Sequence, residues 1–254
     1  MGLTLAIAGK GGTGKTTVAA LSVRLLVEAG LTPVLAVDAD PSLNLHTALG
    51  VAVAETIGDL REEALDRAAT MPGGMAKAEY LRLRIQQALV EAQGFDLLAM
   101  GRPEGPGCYC FANSILRACV DQIGRQYPRV VVDCEAGLEH LSRRTAGDVD
   151  VLLVLSDPTL RALETAARVF ELVSELHTQV GRRAFAFTRV DGDLPAALLG
   201  AARERGLPEP LAIPEDPEIR RLDQEGQPLA SVPAGSRCLE AVRGLLGETG
   251  LLEA

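Results

Sequence analysis

Gly9-Lys10-Gly11-Gly12-Thr13-Gly14-Lys15-Thr16 is the stretch on which the reading of this chain turns. It follows an apolar run, Leu3 to Ala8, and opens a pattern of helical period from Lys15 to Ala29. A glycine-rich segment ending Gly-Lys-Thr between a buried strand and a helix fits G-x-x-x-x-G-K-[ST] in the context that the pattern requires. Glycines let the backbone curl so that successive N–H groups face phosphate oxygens, and the helix start adds its positive end. In such a loop Gly11, Gly12, Thr13 and Gly14 form the cradle and Lys15 holds the beta and gamma phosphates. The Thr16 hydroxyl binds Mg2+, and Thr17 reaches the alpha phosphate. A chance glycine turn is the bland alternative. Lysine usage argues against it, because the only lysines are Lys10, Lys15 and Lys77 and two of the three fall in this loop.

Outward from the loop, short unalternated apolar runs recur at Leu3 to Ala8, Pro33 to Val37, Asp96 to Met100, Val130 to Val132, Val151 to Leu155, Arg183 to Phe187 and Pro210 to Ile213. Strands buried on both faces read this way. Helical patterns lie between them at Ile57 to Ala69, Ala78 to Gln93, Ala112 to Arg125, Thr159 to Val180, Leu194 to Arg205 and Ser236 to Leu246. This alternation predicts an α/β fold, a mostly parallel central sheet of about seven or eight strands with helices on both faces. The Gly and Pro clusters are too short for linkers, so the chain reads as one domain over 1–254. The stretch from Val51 to Gln93 reads as two solvated helices over one edge.

Composition bounds the function. The chain has 254 residues, 47% hydrophobic, and 25 Lys and Arg against 34 Asp and Glu for a net charge of -9. Without a basic tract, capture of nucleic acid by charge is disfavoured. No apolar run approaches the roughly 20 residues of a spanning helix, which points to a cytoplasmic protein with no membrane partner. Five cysteines suit thiols or metal ligands better than a disulfide framework.

Two acidic positions follow apolar runs. Asp38-Ala39-Asp40-Pro41 comes after the second predicted strand, where paired carboxylates can orient water and magnesium. Val130 to Asp133 is an apolar strand ending in Asp, the Walker B form, and Asp133 would hold Mg2+ directly or through water. The alternative for Asp133 is a cap on the next turn.

Cys108-Tyr109-Cys110 sets two thiols one residue apart in a Gly- and Pro-rich loop. Thiolates near a helix start have lowered pKa and bind borderline metals. Two cysteines supply half of a four-sulfur site. A symmetric dimer contributing both from each copy would complete it, as would a client protein. Unligated thiols or a regulatory disulfide remain alternatives. Cys119, Cys134 and Cys238 sit in apolar patterns as buried thiols. His46 and His177 read as structural, and His140 as either a nucleotide-state relay or a capped histidine. The Arg182-Arg183 and Arg220-Arg221 doublets read as solvated faces.

The loop KGGTGKT resembles the deviant Walker A motif of the MinD, ParA and nitrogenase Fe-protein group of P-loop NTPases, the SIMIBI type. The resemblance implies that Lys10 reaches the nucleotide of the other subunit in an ATP-bound dimer. It implies that Asp40 is the switch I aspartate that orients the attacking water, with Asp38 nearer the metal. It also implies that adenine is held by the residue at Thr188, where the family carries Asn, and by Pro214 and Glu215 after Ile213. A hydroxyl can make only part of an amide's bonding pattern.

The segment CYCFANS from Cys108, the phosphate loop, and DCEAGLEHLSRRTA from Asp133 to Ala146 together are similar to CooC-type nickel-insertion ATPases, which mature carbon monoxide dehydrogenase. This resemblance implies an ATP/ADP-dependent homodimer binding Ni2+, or Zn2+ in competition, through Cys108 and Cys110 of both protomers. It implies a client such as carbon monoxide dehydrogenase or acetyl-CoA synthase. Three rivals differ. A ParA-like partition switch wants a basic surface, and a MinD-like membrane switch wants a basic amphipathic C-terminal helix. The segment Gly247 to Ala254 carries two acids and no base. An Fe-protein-like reductase needs two separated cysteines per subunit for an iron-sulfur cluster, and Cys134 is close to Asp133 for that role.

Overall fold

The computed structural model describes residues 2–66, 77–101, 122–134, 149–175 and 179–253. In chain order the elements are β1 (Leu3–Gly9), α1 (Lys15–Glu28), β2 (Val34–Ala39), α2 (Leu45–Leu49), α3 (Ile57–Asp66) and α4 (Lys77–Gln87). There follow β3 (Val90–Ala92), β4 (Phe95–Ala99), β5 (Arg129–Cys134), β6 (Val149–Ser156), α5 (Leu160–Glu175) and β7 (Val180–Val190). The last are α6 (Ala196–Glu204), β8 (Pro210–Pro214), α7 (Pro217–Gln224), a 3-10 turn (Leu229–Ser231) and α8 (Arg237–Glu248).

The eight strands form one sheet in the order β3-β4-β2-β5-β1-β6-β7-β8. All neighbours run parallel except β3 with β4. Alternation along β1 shows why the central strands look uniformly apolar. Ala6 and Ala8 join one core, with Leu163, Val169 and Phe170 of α5 and Leu198 of α6. Leu5 and Ile7 join the other, with Leu21 and Leu25 of α1 and Leu239, Val242 and Leu246 of α8. Both faces are covered, so both parities must be hydrophobic. Burying such side chains stabilises the fold by roughly 1.5–3 kcal/mol each before the entropy of ordering is set against it. On the α5 face Phe185 and Phe187 meet edge to face at 4.9 Å, an arrangement the ring quadrupoles favour.

Several expectations are corrected. The single helix expected over Ala78 to Gln93 is α4 followed by β3, which turns back through Gln93-Gly94 onto β4 and pairs Ala92 with Phe95. Gly94 has φ +85, and a Cβ there would lie 2.7 Å from Val27 Cγ1, so the turn needs glycine. A three-residue strand is too short to show a period. The region read as two solvated helices does cover the sheet, but it buries Ile57, Leu60, Tyr80 and Ile85 as it does so.

β7 begins at Val180, inside the helix expected to run to that residue. Its first half, Val-Gly-Arg-Arg, is half-buried to exposed and so carries no apolar run. The helices α2 and α7, of five and eight residues, are too brief for periodicity to register. The expected helix Ala112 to Arg125 lies mostly outside the described residues. So do Cys108, Cys110, Cys119, His140, His177 and the segment after Cys134.

Candidate functional site

The glycine loop leaves β1 at the C-terminal edge of the sheet, where open α/β sheets place their ligands. Gly9 has φ +149 and approaches β6 so closely that a Cβ would sit 2.4 Å from the Leu155 carbonyl oxygen. Gly12 and Gly14 have φ +82 and +80, the left-handed region glycine enters without steric penalty. Gly14 caps α1, and Lys15 is its first residue. Inside the turn the Lys10 carbonyl accepts from Thr13 Oγ1 at 2.8 Å, Thr13 N at 3.3 Å and Lys15 Nζ at 3.3 Å. Lys15 is buried at 8% exposure, whereas Lys10 is exposed. The two lysines therefore face different surroundings: one is committed to the loop's interior and one is turned to solvent.

Three carboxylates stand at the ends of adjacent strands. Register pairs Asp38 of β2 with Asp133 of β5, so both side chains leave the sheet at the same level. Asp38 lies within its strand rather than after it, because β2 runs two residues beyond the apolar run. It is fully buried and accepts from Asp40 N at 3.2 Å and Leu45 N at 3.0 Å. Those bonds tie the loop after β2 to the start of α2. Burial pushes the Asp38 carboxyl above its usual value, against the two amides that hold the charged form. Asp40 stands farther out, with Oδ1 accepting from Ser42 N at 2.8 Å.

Asp133 is 1% exposed. Its Oδ2 accepts from Thr16 Oγ1 at 2.6 Å, while Oδ1 is buried without a partner among the described residues. Burial is the main reason its carboxyl rises to about 7; Asp38 and Asp40 add to the rise, and the Thr16 bond and Lys15 oppose it. A buried carboxylate oxygen with no donor, beside a hydroxyl on the phosphate loop, suits a hard divalent cation. Among the described residues no group of three or more His, Cys, Asp or Glu could hold a metal by itself. A magnesium ion at Thr16 and Asp133 would therefore take its other ligands from phosphate and water, as magnesium usually does.

These residues open into a cleft of about 690 Å³ lined by Gly11, Gly12, Gly14, Lys15, Thr16, Thr17, Asp40, Thr188, Pro214 and Glu215. The structure thus brings together the loop, Asp40 and the three positions expected at the base. Asp38, Asp133 and Lys10 are not among the lining residues: the two aspartates are buried, and Lys10 is exposed. Thr188 is buried and gives its hydroxyl proton to the Thr13 carbonyl at 2.9 Å, with Ser156 O at 3.4 Å. Toward a ligand it retains only acceptor capacity. At the far wall Glu215 N donates to Val190 O at 3.1 Å, and the Glu215 carboxylate is ion-paired with Arg220. Asp216 caps α7 through Glu218 N at 2.9 Å and accepts from Ser236 Oγ, the cap of α8, at 2.7 Å.

Sequence reading overlooked Arg189, Asp157, Asp223 and Gln227, and it placed Arg220 on a solvated face. All but Asp157 line the cleft. Arg189 Nη2 donates to Gly12 O and to Asp157 Oδ1, the latter at 2.8 Å. One signal was present: Asp157 and Arg189 follow apolar runs at the carboxyl ends of strands, where sites form. Cys134 and Cys238 are buried, as expected, and burial raises both thiols to about 12.

Residues 4–229 match the profile of the CbiA family, the CobQ/CobB/MinD/ParA nucleotide binding domain. The chain is 41% identical over 242 residues to an uncharacterized ATP-binding protein of Methanocaldococcus jannaschii, covering 94% of this chain and 95% of that one. It is 34% identical over 186 residues to the carbon monoxide dehydrogenase accessory protein CooC of Rhodospirillum rubrum, covering 68% and 70%. Its fold resembles the crystal structure of the Pyrococcus furiosus cell division ATPase MinD with a TM-score of 0.72 and 26% identity, over 99% of this chain and 100% of that one.

Proposed function

The chain belongs to the CobQ/CobB/MinD/ParA nucleotide-binding family, and from that premise we propose that it is a magnesium-dependent ATPase acting as a homodimeric nickel metallochaperone. Its client is a nickel enzyme, with carbon monoxide dehydrogenase first and acetyl-CoA synthase second. The observation that carries the ATPase half is the Thr16 to Asp133 bond of 2.6 Å with the unpartnered Asp133 Oδ1 beside it. The nickel half rests on Cys108-Tyr109-Cys110 and on the 34% identity to a carbon monoxide dehydrogenase accessory protein.

In this reading the amides of Gly11, Gly12 and Gly14 receive the triphosphate while Thr13 N stays on Lys10 O and braces the turn, and Thr17 meets the alpha phosphate. Lys15 spans the beta and gamma phosphates and neutralises charge on the phosphoryl group in flight. Thr16 and Asp133 would hold magnesium, which when bound screens the phosphate oxygens. Asp38 keeps the loop after β2 in place, so that Asp40 can orient the attacking water. Lys10, exposed to solvent, is free to meet the nucleotide of a second protomer. Pro214 and Glu215 border the base, with Thr188 offering at most an acceptor to it.

The test is nickel stoichiometry and native mass, measured on anaerobically purified wild type and on Cys108→Ser/Cys110→Ser, with Ni2+ and then ATP added. One nickel per dimer, lost in the double variant, is expected. No thiol-dependent nickel, or iron with sulfide in its place, would refute the chaperone reading. A second reading, a MinD- or ParA-like dimer switch without cargo, is favoured by the near-complete overlap with the MinD fold. It predicts ATP-dependent dimers whose formation is indifferent to nickel. Among the described residues no helix is long and apolar enough to cross a membrane.

A further inference from the structure

We propose that Thr188 and Arg189 are positioning residues which together fix two consecutive peptides of the phosphate loop, so that Thr188 serves the phosphate end of the site rather than the base. The proposal rests on reading Gly9 to Thr16 as the nucleotide loop.

It begins with an irregularity in β7. The β7–β8 register slips between Thr188 and Val190, so Arg189 is an extra residue with no partner on β8. Arg189 also has φ +54, a conformation side chains with a Cβ rarely adopt and which persists only where the surroundings enforce it. In a regular strand residues 188 and 189 would point to opposite faces. The bulge re-aims one of them, and both reach the same loop. Thr188 Oγ1 donates to Thr13 O at 2.9 Å, and Arg189 Nη2 donates to Gly12 O. Asp157, at the end of β6, holds the guanidinium at 2.8 Å, so the arginine is anchored before it touches the loop.

The consequence follows from peptide geometry. In a trans peptide the C=O and N–H point opposite ways. Holding Thr13 O on Thr188 therefore turns the Gly14 N–H to the other side, and Gly14 is the residue that lines the cleft while Thr13 is wholly buried. The preceding peptide is pinned at both ends, with Gly12 O on Arg189 and Thr13 N on Lys10 O at 3.3 Å. Glycines at 12 and 14 let the loop adopt its curl, but they also let it leave. Two donors from a neighbouring strand remove that freedom from outside the loop, which presents the amides in place and lowers the ordering cost of binding phosphate.

The experiment measures binding of Mg-ADP and of magnesium tripolyphosphate, which has no base, by titration calorimetry. Thr188→Val should weaken both ligands by a similar factor, roughly three- to tenfold, as a lost hydrogen bond to a buried carbonyl does, and Thr188→Ser should recover most of it. Arg189→Ala should weaken both less, and adding Asp157→Asn to it should change little, because the two act as one unit. The thermal midpoints of the unliganded Arg189→Ala and Thr188→Ser proteins should stay near wild type. Loss of ADP affinity in Thr188→Val with tripolyphosphate unaffected would overturn the proposal and make Thr188 a base contact. Unchanged affinity for both would overturn it as well. Lys15→Ala is the separate control, since full affinity in that variant would sink the nucleotide-loop reading itself.

Discussion

Replacing Asp133 by Asn should stabilise the unliganded protein and impair its use of magnesium. Burial lifts this carboxyl from 3.8 to about 7. Between those values the folded chain keeps a proton that the unfolded chain has released, so the unfolded state binds fewer protons and stability falls as pH rises. The slope is about 1.4 kcal/mol per pH unit, and from 3.8 to about 7 the penalty grows to about 4 kcal/mol and then levels off. An amide carries no charge and escapes this cost, but it also needs partners that the buried Oδ1 position does not offer. The expected net gain at pH 8 is about 2–4 kcal/mol. For a chain of this length that raises the unfolding midpoint by roughly 5–15 °C.

The assay is calorimetric melting of both proteins in chelator from pH 5 to 9. The gap between variant and wild type should widen with pH up to about 7 and stay constant above it. With Mg-ADP at 100 times its Kd, wild type should gain about 2.7 kcal/mol by mass action and the variant clearly less. A gap that does not change with pH, or a variant less stable than wild type at pH 8 without metal, would refute the argument that Asp133 is an uncompensated charge awaiting a cation.

Three further outcomes are expected. Lys15→Ala should abolish measurable nucleotide binding in calorimetry, because the one buried cation on the loop is removed. Asp40→Ala should leave ATP binding and dimerisation intact while phosphate release stops; normal turnover would remove its water-orienting role. Gly9→Ala should destabilise the fold by about 2 kcal/mol or more in urea unfolding. Its Cβ would lie 2.4 Å from the Leu155 carbonyl in a conformation that already disfavours a side chain. A wild-type midpoint would contradict the close packing of β1 on β6.

Local sequence was sufficient for whatever depends on contiguous residues. The loop and the apolar runs of the seven longer strands all sit in short windows where spacing encodes geometry. The fold class followed from their alternation. Elements too short to repeat their period several times escaped: β3, α2 and α7 owe their form to what they pack against, and β7 extended into a polar stretch because β6 supplied its hydrogen bonds.

At the candidate site the division runs between identity and arrangement. Glycine, lysine and threonine at fixed spacing announce a phosphate loop, since the chemistry is carried by neighbours in the chain. That Asp38 is spent on two backbone amides, while Asp133 keeps an oxygen bare, could be learned only from the packing. The two aspartates are neighbours by register and look alike in sequence. Likewise, Thr188 and Arg189 meet the loop across 175 and 177 residues of chain. Nothing local encodes those contacts, because a parallel sheet brings together the ends of strands that the sequence keeps far apart, and a single bulge decides which way their side chains face.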